Sequence, residues 1–331
     1  MPSPSSSHVV IFPFMAQGHT LPLLDLSKAL CLSHQQIKVT IITTPSNANS
    51  IAKYVTNHPD INLHEIPFPT IDGLPKGCEN TSQLPSMEFL LPFLLATKQL
   101  QKPFEEVLKT MLESKNPPTC VISDFFLGWT LASCQALGVP RLVFHGMGIL
   151  SMAITKSTWF HAPQLESVSM FDPLDLPGMK LPFTLTRADL PGSINLPDHD
   201  DKFYQFIQEV GEADARSWGV IANSFEELEK SHIPAFESFY INGAKAWCLG
   251  PLLDGLGAGL SVEGVQNQVS KIPVSRQAIC EGVEELMGGS KGRIAKERAQ
   301  ALGRVARRAV QKGGSSHDTL NKLIGQLRVS M

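Results

Sequence analysis

Several absences narrow the reading of this 331-residue chain before any motif is weighed. It lacks an apolar run long enough to span a bilayer. The most apolar stretch, Phe89 to Ala96, falls far short of the ~20 residues a spanning helix needs. It lacks paired cysteines. Cys31, Cys78, Cys120, Cys134, Cys248 and Cys280 are scattered, several within apolar runs, and none has metal-ligand spacing. They read as reduced core thiols, so no metal is expected and a cytoplasmic location is. Met1 to Ser7 lacks a cationic segment, so no signal sequence is expected. No Gly-x-Ser-x-Gly elbow is present, which argues against a hydrolase of that type. Gly255, Gly257 and Gly259 do not have the spacing of a dinucleotide fingerprint, and no helical stretch opens behind them.

Acidic residues are scarce in one region only. The net charge is −3, yet residues 288–331 carry ten Lys/Arg against Glu297 and Asp318. Arg293, Arg304, Arg307 and Arg308 have no interleaved aromatics and no nucleic-acid motif around them, so this reads as a solvated helix face. No nucleic-acid partner is expected.

What is present is alternation. Val9–Phe14, Ile37–Thr43, Ile61–Ile66, Thr119–Ser123, Arg141–His145, Val220–Asn223 and Lys245–Leu249 read as strands. Helical patterns lie between them. Leu21–Leu30 has Leu23, Leu26 and Leu30 at helical spacing, Ser46 is placed to cap a helix reaching Val55, and a long helical region ends near Ser114. The alternation predicts an α/β fold with a doubly wound, mostly parallel sheet. Phe171 to Pro197, dense in Pro, Gly and Asp, reads as a long surface excursion. Beyond Pro251 the pattern stops. Asp254 to Val262 reads as a linker, and only helical patterns follow: one from Ser275, with Ile279, Val283 and Leu286 on one face, one over Ile294–Val310, and one capped by Ser316 with Leu320, Leu323, Ile324 and Leu327 as its stripe. The expected division is 1–253, a linker over 254–273, and helices over 274–331.

Two residues stand out by position. His19 follows the glycine turn after the first strand, and Asp124 ends another buried strand. In open α/β sheets the ligand crevice lies at the carboxyl ends of the strands. An imidazole and a carboxylate there form a candidate general-base pair. His19 also reads as a loop histidine with no task, and Asp124 as a helix N-cap.

The segment His8-Val9-Val10-Ile11-Phe12-Pro13-Phe14-Met15-Ala16-Gln17-Gly18-His19 resembles the start of plant family-1 UDP-dependent glycosyltransferases. Cys120 to Phe126, Gly219 to Glu229 and Leu249-Gly250-Pro251-Leu252 resemble later segments of that family, in order and in rough spacing. Val274-Ser275-Arg276, Met287-Gly288-Gly289 and Gly313 to His317 resemble its last part. Between those blocks the family carries a second Rossmann-like domain with a Trp/Pro/Gln box, a His-Cys-Gly-Trp-Asn-Ser stretch and a closing acid-Gln pair. None of these occurs here. The chain looks like a GT-B family member with most of its donor-sugar domain missing.

The resemblance implies transfer of a sugar, glucose first among candidates, from a UDP-sugar to a hydroxyl of a small plant metabolite such as a flavonoid or terpenoid alcohol, with inversion. It makes His19 the base and Asp124 its partner. It places Phe14, Met15, Phe125, Phe126 and His145 along the acceptor pocket and Gly18 and Thr20 against the donor. Each aromatic also reads as simple core, and His145 as a buried, hydrogen-bonded histidine. No cofactor is expected beyond the UDP-sugar co-substrate. With the donor box missing, impaired or absent activity is expected. The alternative is a non-catalytic homologue that binds a small molecule or a partner. The sequence does not set the oligomeric state.

Overall fold

The computed structural model describes residues 7–33, 37–161, 168–181, 183–190, 200–252, 280, 284 and 287–329. The elements, in chain order, are β1 (Ser7–Phe12), α1 (Gln17–Leu32), β2 (Ile37–Thr43), α2 (Pro45–Val55), β3 (Ile61–Glu65), α3 (Leu90–Thr97), α4 (Gln101–Leu112) and β4 (Pro118–Asp124). They continue with α5 (Thr130–Ala136), β5 (Arg141–His145), α6 (Ile149–Phe160), α7 (Lys202–Ala215), β6 (Gly219–Ala222), α8 (Glu226–Glu229), α9 (Ile233–Glu237), β7 (Lys245–Cys248), α10 (Ser290–Val310) and α11 (Ser315–Val329).

The strands form one parallel sheet in the order β3-β2-β1-β4-β5-β6-β7. Successive side chains on a strand point to opposite faces, and both faces here are covered. Val9 and Ile11 of β1, Cys120 and Ile122 of β4 and Leu142 and Phe144 of β5 pack with Leu23, Leu26 and Leu30 of α1 and with Leu320, Leu323, Ile324 and Leu327 of α11. Val10, Phe12 and Val121 pack the other way, onto Phe93 of α3, Phe104 of α4 and Phe206 of α7. Double coverage explains why these strands read as near-continuous apolar runs.

The sheet grows outward in both directions from the β1–β4 pair, which makes that boundary the topological switch point, where the crevice of a doubly wound sheet opens. At the same rim, beyond β5, Glu229 fills the amino end of α6. Its Oε2 accepts from Leu150 N at 2.9 Å and its Oε1 from Ser224 Oγ at 2.7 Å. Gly148 makes room for that carboxylate, since a Cβ there would lie 2.4 Å from Oε1.

Three expectations need correction. Ser46 does not cap α2: Thr44 precedes the helix and Pro45 opens it, while the Ser46 amide donates to Glu79 Oε2 at 2.9 Å. Ser316 does not cap α11 either. It lies inside the helix, buried, and its hydroxyl donates to Gly250 O at 2.6 Å. The strand after residue 8 ends at Phe12, so Pro13 and Phe14 belong to the turn. The described part of the 171–197 excursion is irregular and closes on its own small cluster of Leu174, Leu176, Leu185 and Leu190. The expected linker 254–262 and nearly all of the expected helix 275–287 lie outside the described residues.

Candidate active site

The turn after β1 is tight. Ala16 N donates to Phe14 O at 2.8 Å, and His19 N and Thr20 N donate to Ala16 O at 3.0 and 2.9 Å. Thr20 Oγ1 adds a bond to Phe14 O at 3.1 Å. These bonds start α1 and set His19 in its first turn. Asp124 is the last residue of β4, in the neighbouring strand, so two residues 105 apart in sequence meet at the switch point. His19 Nδ1 lies 2.8 Å from Asp124 Oδ2, and the other carboxylate oxygen accepts from Phe126 N at 3.0 Å. The carboxylate therefore shapes its own turn and holds an imidazole at once. The pairing reading of Asp124 holds, and the helix-cap reading does not, because α5 opens only at Thr130 with Trp129 before it.

The pair is asymmetric in exposure. The Asp124 side chain is 1% exposed and that of His19 33%. With Nδ1 committed to Asp124, the neutral ring carries its proton on Nδ1, and Nε2 is the open, basic nitrogen. Burial opposes charge on His19 and is the largest single influence. The charge of Asp124 and its hydrogen bond together outweigh it, so the pKa of His19 lies above its ordinary value. A raised pKa means that the folded chain holds this proton more tightly than the unfolded one. The resulting stabilisation is complete below the unfolded value, near ~6.5, and fades as pH rises through the folded pKa.

Aromatic rings wall the imidazole. Phe14 and Phe126 each lie 5.4 Å from its centroid, and Phe125 continues the wall 5.5 Å beyond Phe126. Phe125 and Phe126 are half-buried, whereas Phe14 and Met15 are 2% and 3% exposed and belong to the core beneath. His145 follows Phe125 at 5.1 Å, but it is 3% exposed and its Nε2 is 3.1 Å from Asp214 Oδ1. It is a buried, hydrogen-bonded histidine. Asp214 also accepts from Tyr240 Oη at 2.8 Å and pairs with Lys156 Nζ at 2.5 Å. Burial opposes the Asp214 charge, yet Lys156 and His145 hold its carboxyl far below the usual carboxylate range. Sequence reasoning missed this second His–Asp pair, because Asp214 sits in a helix that reads as amphipathic and only its contacts reveal its burial.

Gly18 is exposed with open space where a Cβ would stand, and Thr20 lines a polar cleft of about 330 Å³ with Gln17, Asn47, Ser50, Asn80 and Ser82. A cavity of about 500 Å³ at the other end of the strands is lined by Pro140, Arg141, Ser217, Trp218, Lys245 and Trp247, and neither His19 nor Asp124 lines it.

A doubly wound parallel sheet with helices on both faces is a Rossmann-like α/β fold. No family model matches the chain. UDP-glycosyltransferase 73D1 of Arabidopsis thaliana is 38% identical over 252 residues, covering 74% of this chain and 48% of that protein. Scopoletin glucosyltransferase of Nicotiana tabacum is 32% identical over 250 residues, covering 74% of this chain and 50% of that protein. The crystal structure of Glycyrrhiza uralensis UGT73P12 with glycyrrhetinic acid 3-O-monoglucuronide superposes with a TM-score of 0.80 at 18% identity, over 98% of this chain and 96% of that one. The chain belongs to the plant family-1 UDP-glycosyltransferases. It spans about half the length of the curated relatives it matches.

Proposed function

We propose that this chain is the acceptor-binding half of a plant UDP-glycosyltransferase, with His19 as base and Asp124 as its partner. The 2.8 Å contact between them, with His19 Nε2 open to the crevice, carries the reading. A small plant metabolite would lie against Phe125 and Phe126 with a hydroxyl at Nε2. Nε2 takes the hydroxyl proton as the oxygen forms its bond to the anomeric carbon of the UDP-sugar. The bond from that carbon to the phosphate oxygen breaks, and UDP leaves with the electron pair. Attack opposite the leaving group inverts the centre. The imidazolium formed is stabilised by the Asp124 carboxylate. Glucose is the proposed sugar. The step needs no metal and no cofactor, because the donor is already activated. Scopoletin in the name of one relative and the glycyrrhetinic acid glucuronide bound in one solved structure support a small plant metabolite as acceptor, with a flavonoid or terpenoid alcohol as the proposed class. The six free thiols and the lack, among the described residues, of a helix long and apolar enough to cross a membrane support a cytoplasmic site of action.

The donor half is weaker. A departing pyrophosphate needs fixed N–H donors or cations. Gly18 and the cleft at Thr20 are the proposed contacts on this side. No second sheet is found among the described residues. Residues 1–253 are thus proposed as the acceptor domain, 254–273 as a linker and 274–331 as a remnant of the donor domain. Turnover is proposed to be impaired. Binding without turnover is the second reading, favoured by that single sheet.

Calorimetry on the purified chain separates these readings. Scopoletin, a flavonol and a triterpenoid alcohol are titrated, then UDP, and turnover is followed with UDP-glucose. At least one acceptor is expected to bind and UDP to bind weakly. Any turnover is expected to fall about 10²–10⁴-fold in His19→Ala. Micromolar UDP binding would overturn the impaired-donor reading, and turnover unchanged in His19→Ala the assignment of the base.

A further inference from the structure

Arg141, the first residue of β5, is 2% exposed and borders the cavity of about 500 Å³ at that end of the strands. A guanidinium so deeply buried ordinarily meets a carboxylate. This one does not. Its Nε donates to Ser123 Oγ at 2.8 Å and Thr130 Oγ1 at 2.9 Å, its Nη1 to Ser217 Oγ at 2.7 Å, and its Nη2 to the main-chain oxygen of Asp124 at 3.3 Å. Those partners lie on different elements. Ser123 and Asp124 end β4, Thr130 opens α5, and Ser217 follows α7. The hydroxyls are anchored in turn: Thr130 Oγ1 donates to Leu127 O at 2.6 Å and Ser217 Oγ to Ala213 O at 2.9 Å.

Burial is the largest influence on Arg141 and opposes its charge, while the buried carboxylates Asp214 and Asp124 favour it. Each of them holds a histidine, at 3.1 Å and 2.8 Å respectively. Asp214 has Lys156 in direct contact at 2.5 Å. Among the described residues Asp124 has no cation in contact other than His19. Among the described residues Arg141 is the permanent cation whose hydrogen bonds reach the end of β4, at Ser123 Oγ and Asp124 O. It also grips the backbone from which that carboxylate projects. A planar fork with fixed N–H directions can hold several partners in register, which a lysine ammonium cannot.

We propose that Arg141 is a positioning residue for the His19–Asp124 pair, its fork fixing the end of β4 so that Asp124 Oδ2 stays on His19 Nδ1. Its consequence for catalysis rests on the proposed base role of His19. Its consequence for the imidazole does not, and is read directly. The experiment is an NMR titration of the His19 ring in the full chain, assigned by loss of its signal in His19→Gln. It is repeated in Asp124→Asn, Arg141→Lys and Ser217→Ala. Arg141→Lys keeps the charge and removes the fork, so direct repulsion between cations is unchanged. Asp124→Asn is expected to lower the titration midpoint of His19. Arg141→Lys is expected to lower it by about 0.5 pH unit or more, and Ser217→Ala by less, as alignment with Asp124 is lost. The signals of His58 and His64, remote from the pair, are expected to hold and report an intact fold. A folded Arg141→Lys chain in which His19 titrates as in the parent overturns the proposal. If Arg141→Lys does not fold, an unmoved His19 in Ser217→Ala overturns it instead. If Asp124→Asn leaves His19 unmoved, the base pair itself fails, a result distinct from the failure of Arg141.

Discussion

The closing helices α10 and α11 both carry apolar side chains at helical spacing, yet α11 is docked and α10 is not. Leu320, Leu323, Ile324 and Leu327 of α11 are 7%, 1%, 3% and 5% exposed, seated on the sheet face where the helix meets β4 and β7. On α10, Ile294, Val305 and Val310 are 49%, 37% and 45% exposed. Among its described apolar side chains Ala306 and Ala309 are buried, against Phe225, with Leu302 partly covered. The difference does not lie in the stripes themselves. It lies in what faces them. α11 meets a preformed apolar sheet and is pinned at both ends, by Ser316 on Gly250 O and by Arg328 on Ser7 Oγ at 2.9 Å. Among the described residues α10 meets Phe225 at the start of α8 and its neighbour α11, and its outer surface carries Arg293, Lys296, Arg304, Arg307 and Arg308 into solvent. An amphipathic pattern predicts that a helix can bury a face, and the tertiary partner decides whether it does.

That contrast can be broken or sharpened by graded changes. The largest effect is expected from ending the chain at Gly314. Removing α11 takes away four buried side chains worth ~1.5–3 kcal/mol each and bares the sheet beneath them. The loss is comparable with the whole stability of a typical domain, ~5–15 kcal/mol, so the shortened chain is expected to lose its cooperative thermal transition in calorimetry. A sharp transition near the parent midpoint would show that α11 is dispensable. Next, Leu323→Ala is expected to cost about 2–5 kcal/mol, read from urea midpoints, because the site is fully enclosed and leaves a cavity. Smaller again, Ser316→Ala strips the buried Gly250 carbonyl of its hydroxyl donor and is expected to cost about 1–3 kcal/mol. The smallest effect belongs to α10, where Val305→Ser is expected to stay within about 0.5 kcal/mol. A cost near that of Leu323→Ala would mean that α10 has a covering surface after all.

The same contrast marks how far the sequence could be read. Strands were legible where both faces are buried, because β1, β4 and β5 then carry short apolar runs, Val9–Phe12, Cys120–Ile122 and Leu142–Phe144, between polar ends. His19 and Asp124 were legible because each follows such a run at the carboxyl end. Arg141 and Asp214 were not. A charged residue in a strand or an amphipathic helix defaults to a solvated reading, and only three-dimensional partners reverse it. For Phe14 and Met15 the resemblance implied pocket wall and the residues alone also read as core; both are buried, Phe14 still beside the His19 ring, with Thr81 N bonded to Met15 O at 2.9 Å. Ser46 and Ser316 failed as caps for a related reason. A serine near a helix start is a cap only if the chain turns at that residue, and here Thr44 and Gly314 hold the position.

The contact between Arg328 and Ser7 has a kinetic meaning. Its partners are 321 residues apart, so it closes nearly the whole chain on itself. Loop-closure entropy must be overcome before contacts of that span stabilise anything, and topologies rich in them fold slowly. The β1–α1–β2–α2 region, by contrast, pairs close neighbours and can assemble early. The docking of α11 is then a late event, the step that seals an already formed sheet. A side chain that acts only after the rate-limiting barrier changes how long the folded state persists and not how fast it is reached. Trimming Leu323 should therefore appear in the unfolding arm of a chevron plot, with the refolding arm left where it was.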